Sequence, residues 1–227
     1  MSASSELFTI FPVFIVIDVS ASMAGGPIEA VNAALPALKA EMQSNPTVGE
    51  IARVSLVTFS DEARIALPLG DLATAALPEV MVEGGTNFAA AFRGLRQAID
   101  QGMGGLPKGT PVYRPVAFFM SDGEHTAREG WSAGLDTARD SGWKYRPEIV
   151  AIGFGEANAA MLQRIATRFA FMANGQHDPV VQVREIMNML IGSIRTTSSS
   201  FRDPSQTDGL HIEAPKEYFT SLPALTT

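Results

Sequence analysis

The chain has 227 residues, 46% hydrophobic and 18% charged, and its 17 basic against 24 acidic side chains leave a net charge of −7. A chain of this length buries well over half of its unfolded surface, so it needs no disulfide or metal staple to fold, and with no cysteine it has no thiolate zinc site, thiol nucleophile or disulfide framework. Three scattered histidines speak against a histidine-rich metal site, and the acidic balance, with no long basic run, speaks against a nucleic-acid surface.

The first apolar run, Phe11 to Ile17, follows Met-Ser-Ala-Ser-Ser-Glu and ends at an aspartate. It has no positively charged start and is too short for a signal peptide or a membrane span, so a cytoplasmic location is expected. Its residues do not alternate apolar with polar, which predicts a strand buried on both faces. Ile28, Val31, Leu35, Leu38 and Met42 recur at three- and four-residue steps and predict a helix that closes at Asn45-Pro46. Arg53 to Phe59 and Ala63 to Leu69 are β-prone stretches joined by Ser60-Asp61-Glu62, too short a link for a crossover helix, so one of them should be an antiparallel edge strand.

The loop Glu83-Gly-Gly-Thr-Asn87 leads into a helix carrying Phe88, Phe92, Leu95 and Ile99, and Gly102 to Gly109 is a glycine-rich connection. Val116 to Met120 is a second fully apolar strand, ending in Ser121-Asp122-Gly123. A helix with Trp131, Leu135 and Ala138 follows, then a strand from Glu148 to Phe154 and a helix with Met161, Leu162, Ile165 and Phe169. Phe169 to Ala173 reads as a sixth strand and Val180 to Ile194 as a last helix. This alternation predicts an α/β fold with an open, mostly parallel six-stranded sheet, helices on both faces and one antiparallel edge. Residues 1–195 form one domain on this reading, and residues 196–227, with three prolines, two Asp-containing turns and a Thr196 to Ser200 polar run, form an extended arm or partly ordered tail.

Functional groups of open α/β sheets gather beyond the carboxyl ends of the strands. Three segments with oxygen-bearing side chains fall at such places: Asp18-Val-Ser-Ala-Ser22, Gly84-Gly-Thr86 and Ser121-Asp122-Gly123. Asp18, Ser20 and Ser22 are spaced so that one extended turn points them the same way. With Thr86 and Asp122 they supply five oxygen groups, while a hard cation such as Mg²⁺ takes roughly six. Two carboxylates balance a divalent ion and the hydroxyls add no charge, so an open position would attract one more anionic oxygen, such as an acidic side chain of a partner protein.

In order and separation, Asp18-Val-Ser-Ala-Ser22, Gly85-Thr86 and Ser121-Asp122-Gly123 resemble the metal-ion-dependent adhesion site (MIDAS) of von Willebrand factor A domains, over about the first 195 residues. Tyr113 to Glu124, Gly153-Phe-Gly155 and Gly192 to Ser200 are most similar to the bacterial TerY-type, tellurium-resistance-associated branch of that family. The resemblance implies a Rossmann-like fold and a non-enzymatic module for binding proteins. In it Ser20, Ser22 and Thr86 touch Mg²⁺, or Mn²⁺ or Ca²⁺, and Asp18 and Asp122 act directly or through water. It also implies a bacterial stress or metal-resistance system with a protein kinase and a PP2C-type phosphatase as neighbours. His125 stands where relatives commonly have proline.

Other readings compete. A phosphohydrolase working through an aspartyl nucleophile resembles Asp-x-Asp-x-Thr, yet here Ser20 and Ser22 hold those places, leaving no carboxylate for proton transfer. A scaffold with a vestigial metal site is a third reading. His125, His177 and His211 read as solvated, Met187 to Ile191 as core packing, and Thr196 to Ser200 as a linker open to phosphorylation.

Overall fold

The computed structural model describes residues 8–201 and 209–225. The turns at Asp203 and Asp208 and the chain start read for a signal peptide lie outside the described residues. In chain order the elements are β1 (Phe11–Asp18), a short 3-10 turn (Ala21–Met23), α1 (Gly26–Ser44), α2 (Pro46–Ile51), β2 (Ala52–Phe59), β3 (Ala63–Gly70) and α3 (Phe88–Gly104). They continue with β4 (Val116–Ser121), α4 (Ser132–Arg139), β5 (Glu148–Gly153), α5 (Ala159–Ile165), β6 (Phe169–Ala173), α6 (Pro179–Ser200) and β7 (Phe219–Leu222). Among the described residues no helix is long and apolar enough to cross a membrane.

The sheet runs in the order β3-β2-β1-β4-β5-β6-β7. β1 lies parallel between β2 and β4, and β5 and β6 extend the parallel part. β3 is antiparallel to β2 at one edge, as its short link to β2 requires, and carries Pro68, which an edge strand tolerates. The count of six strands is corrected to seven, and the single antiparallel edge to two, because Phe219–Leu222 pairs antiparallel with β6. That strand has four residues and buries only Phe219 fully, so it shows no periodicity; its register comes from the main chain of β6, whose edge it covers.

The apolar runs of β1 and β4 are explained by their neighbours on both faces. Val13, Ile15 and Ile17 of β1 pack with α1 and α6, whereas Phe14 and Val16 pack with α3 and the aromatic layer around Phe119. Successive side chains of a strand point to opposite faces, so only a sheet sandwiched between helices tolerates every residue being apolar. Met187, Met189 and Leu190 are buried in the first of these layers, and Trp131 and Trp143 in the second.

Three local differences have physical causes. Asn45-Pro46 ends α1 and also starts α2, because the Asn45 side chain accepts a hydrogen bond from Val48 N and proline suits a first helical position. α3 continues to Gly104, into the expected glycine-rich connection. α6 runs on to Ser200, and Thr197, Ser198 and Ser200 in its last turn are buried.

α3 crosses β2 and β3 through Gly94, where an added Cβ would stand 2.5 Å from the Ala63 Cβ and 3.5 Å from a Val57 methyl carbon. Gly94→Val is expected to lower stability by about 2–3 kcal/mol through overpacking, read from the denaturant midpoint at unchanged slope.

Candidate metal centre

The chain travels outward from β1 to β2 and β3, then returns to β4 on the other side of β1. The reversal opens a crevice at the carboxyl ends of β1 and β4. Ile17 stands beside Met120 in the parallel register, so the next residues out, Asp18 and Ser121, are neighbours. Ser121 Oγ donates to Asp18 Oδ2 at 2.6 Å, and Ser20 N donates to Asp18 Oδ1 at 2.9 Å. Ser22 Oγ donates to Asp122 Oδ1 at 2.8 Å, and the hydroxyls of Ser20 and Ser22 are 3.1 Å apart. Asp18, Ser20 and Asp122 are thus buried and linked, while Ser22 is exposed and opens the cluster to solvent.

Thr86 reaches the same place from the loop before α3. Ala21 N donates to Gly84 O at 3.1 Å and Glu83 N to Val19 O at 2.7 Å, which ties this loop to the one after β1. Thr126 clamps Thr86 on its main chain, its hydroxyl accepting from Thr86 N at 3.0 Å and its own N–H donating to Thr86 O at 2.9 Å. A Cβ placed on Gly123 would lie 3.9 Å from Thr86 Oγ1 and 4.0 Å from Ser22 Oγ, so both hydroxyls face one glycine. The glycines before Thr86 serve close approach: at Gly84, with φ +54°, a Cβ would fall 2.2 Å from Asp61 Oδ2. Asp122 is held by the β5–α5 loop, where Glu156 N donates to Asp122 O at 2.9 Å.

Sequence reasoning named Ser121 only as part of a strand-end motif and did not identify Thr126 as part of the site. Ser121 has a signal, a hydroxyl ending a wholly apolar strand; Thr126 has none, because only the folded loop places it beside Thr86. His125 is corrected from a solvated ring. Its Nδ1 accepts from Phe88 N at 3.1 Å and its Nε2 lies 2.6 Å from Glu129 O, so both nitrogens fasten this loop to α3. Nearby, Asn87 donates to Glu129 Oε1, and Arg93 and Asn87 hold the Glu129 carboxyl down at about 2. His177 packs on Tyr218, and His211 has a buried Nε2 with no hydrogen-bond partner.

Burial pushes the Asp18 carboxyl up from 3.8 to about 6; hydrogen bonds from Ser121 and Ser20 oppose the shift and the Asp122 charge adds to it. Asp122 is raised as well, chiefly by burial, with Ser22 pulling the other way. Among the described residues no basic side chain offsets either burial. Two carboxylates and three hydroxyls, all oxygen donors, fit a hard divalent cation. No group of three or more His, Cys, Asp or Glu side chains gathers among the described residues, so the carboxylates of this centre are the pair Asp18 and Asp122.

The shift of Asp18 sets a pH dependence for the protein stripped of metal. Its folded-state value is raised, so its contribution to stability is fully present below 3.8 and lost as pH rises through about 6. Chelator-treated protein should therefore gain about 3 kcal/mol from this group on acidification across that window, and Asp18→Asn should remove the gain, as measured by urea unfolding at several pH values.

Residues 13–125 match the family model of the von Willebrand factor type A domain. No curated protein sequence matches the chain. Among solved structures, proximal thread matrix protein 1 from the mussel byssus is similar at 18% identity with a TM-score of 0.59, over 82% of this chain and 48% of that one. The same mussel protein has been solved with zinc occupying its MIDAS motif, at 17% identity, a TM-score of 0.59 and the same coverage of both chains. A von Willebrand factor type A protein from Catenulispora acidiphila is similar at 16% identity and a TM-score of 0.60, over 82% of this chain and 43% of that one. The pilus adhesin SpaC from Lactobacillus rhamnosus GG, in its open conformation, is similar at 14% identity and a TM-score of 0.64, over 82% and 30%. The chain spans less than half the length of each of these proteins.

Proposed function

From a fold and a family match that are both those of the von Willebrand factor type A domain, we propose that this chain is a metal-dependent protein-binding module rather than an enzyme. The observation that carries the reading is the linked cluster of Asp18, Ser20, Ser22 and Asp122 beside Thr86, with two buried carboxylates and, among the described residues, no basic side chain to balance them. Ser20, Ser22 and Thr86 would hold the cation through their hydroxyls, and Asp18 and Asp122 would supply charge directly or through water. Bound there, Mg²⁺, or Mn²⁺ or Ca²⁺, would offer a strong attraction for one anionic oxygen of an acidic side chain on a partner protein. The chain's own part is positioning: Ser121 and Ser20 N fix both oxygens of Asp18, and Thr126 fixes the Thr86 main chain. The zinc-occupied MIDAS of the mussel protein supports a cation at this position. The engagement of both His125 nitrogens with main-chain groups supports binding over proton-transfer chemistry.

The finer assignment rests on sequence alone. The stretches 113–124, 153–155 and 192–200 support a TerY-type role in a cytoplasmic bacterial stress or tellurium-resistance system, with a protein kinase and a PP2C-type phosphatase as partners. The first 195 residues would form the binding domain and the remainder an arm that returns to the sheet through β7.

The test is capture of partners by the tagged protein with Mg²⁺ and again with EDTA. Partners should be retained only with metal, and Thr86→Ala should release them even when metal is present. Equal capture under all three conditions would sink the reading.

A further inference from the structure

The opposite end of the sheet holds a second cluster, at the amino ends of β4, β5 and β6. A cavity of about 320 Å³ there is lined by Arg114, Arg139, Arg146 and Arg168, with Glu148 and Leu225. Among the described residues, four guanidinium groups face one carboxylate, on a chain whose net charge is −7. Glu148 is shared: Arg168 Nη1 lies 3.4 Å and Arg114 Nη1 3.9 Å from the same Glu148 oxygen. Arg114 Nε donates to Arg146 O at 3.1 Å, and Arg139 Nη2 to Ala166 O at 2.5 Å, so two of the arginines are anchored on main-chain carbonyls. The Nε of Arg139 is buried and has no hydrogen-bond partner.

Like charges gathered this way are costly unless something balances them. Burial lowers the Arg114 value from its usual range, Arg146 and Arg168 push it the same way, and Glu148 opposes them. Burial likewise lowers Arg139, with Arg164 adding to the effect and Asp136 opposing it. A buried donor without an acceptor carries a desolvation penalty that an incoming oxyanion would remove.

We propose that this cavity binds a compact, multiply charged phosphate, of the pyrophosphate or nucleoside diphosphate class. Guanidinium forks pair with phosphate oxygens two at a time, and an excess of three positive charges suits more than one phosphoryl group. The volume falls in the range of small-molecule pockets. Beside it lies an apolar cavity of about 170 Å³ that shares Arg114, Glu148 and Arg168 and adds Phe11, Tyr113 and Leu210, which gives the organic part of such a ligand a place to sit. β4 separates this end from Asp122, so the site is independent of the metal centre and does not rest on the reading given for it.

Calorimetry of the full chain with inorganic pyrophosphate, in low-salt buffer containing EDTA, tests the proposal. One equivalent should bind, at least tenfold tighter than sulfate, and ADP should bind no more weakly than pyrophosphate. Arg146→Gln and Arg168→Gln should each weaken binding by about tenfold, the equivalent of one lost charge-assisted hydrogen bond. Glu148→Gln, which removes the acid that Arg114 and Arg168 share, should tighten it several-fold. Arg139→Gln disturbs the contact with Ala166 as well, so the two surface-side arginines and Glu148 decide the matter. Sulfate binding as well as pyrophosphate, no change in the two arginine variants, or weaker binding by Glu148→Gln would each overturn the site. ADP binding far more weakly than pyrophosphate would overturn the placement of the organic part.

Discussion

Mg²⁺ at a hundred times its dissociation constant is expected to stabilise the protein by about 2.7 kcal/mol, which for a chain of this size raises the thermal midpoint by about 5–10 °C. The gain arises because a cation would balance Asp18 and Asp122, two carboxylates whose charged forms burial disfavours. Asp122→Asn separates the charge from the geometry, since the amide oxygen still accepts from Ser22. Without metal this variant should melt no lower than the wild type, because it removes a penalised charge; with Mg²⁺ its midpoint should stay where it was. A cofactor site thus leaves opposite signatures in the presence and absence of its ion, whereas a merely structural aspartate would leave the variant destabilised in both. Scanning calorimetry with and without EDTA reads the difference, and a Mg²⁺ shift in Asp122→Asn equal to that of the wild type would exclude the proposed role.

Phe119→Ala should cost about 3–5 kcal/mol, the largest effect of any single truncation foreseen here. Phe119 sits on the middle strand of the parallel set, fully buried, and its ring lies 5.2 Å from that of Phe59, 5.3 Å from Phe88 and 5.5 Å from Phe92. Removing it deletes apolar surface and leaves a cavity among three rings that are fastened to β2 and α3 and have little freedom to collapse. Phe88 begins α3, directly after Thr86 and Asn87, so the loss should also loosen the loop that carries Thr86. Phe119→Leu keeps most of the volume and should cost less than half as much. Guanidinium unfolding of the three proteins gives the ordering, and metal affinity measured alongside should fall more for the alanine variant than for the leucine one.

Much of this architecture was legible before folding. Phe11 to Ile17 and Val116 to Met120 contain no polar residue, and a strand of that kind is stable only when helices cover both faces of its sheet. The periodic stripe from Ile28 to Met42 marked α1, and Ser60 to Glu62 was too short for anything but an antiparallel turn. β7 was not legible, because Phe219–Leu222 is a strand by virtue of its pairing with β6 and not of its own pattern. His125 looked like a solvated ring because its partners, Phe88 N and Glu129 O, are main-chain atoms that no residue pattern displays.

The same division runs through the candidate metal centre and the arginine-lined cavity. Asp18, Ser20, Ser22, Thr86 and Asp122 could be picked out because each follows or precedes a recognisable element, and local spacing alone puts the first three on one side of a turn. That Ser121 bonds to Asp18, and that Thr126 holds Thr86, depended on the parallel register of β1 and β4 and on contacts 103 and 40 residues apart. The arginine cavity had no signature at all. Arg114, Arg146 and Arg168 are scattered through an acidic chain and meet because parallel strands bring their amino ends together, where Arg139 joins them from the end of α4. Sequence by itself determined which segments must be buried and which oxygen-bearing turns cap them, since burial and turn chemistry are local. Only the tertiary structure decided which distant charges share a cavity, since long-range pairing and the field of neighbouring charges exist only once the sheet has closed its register.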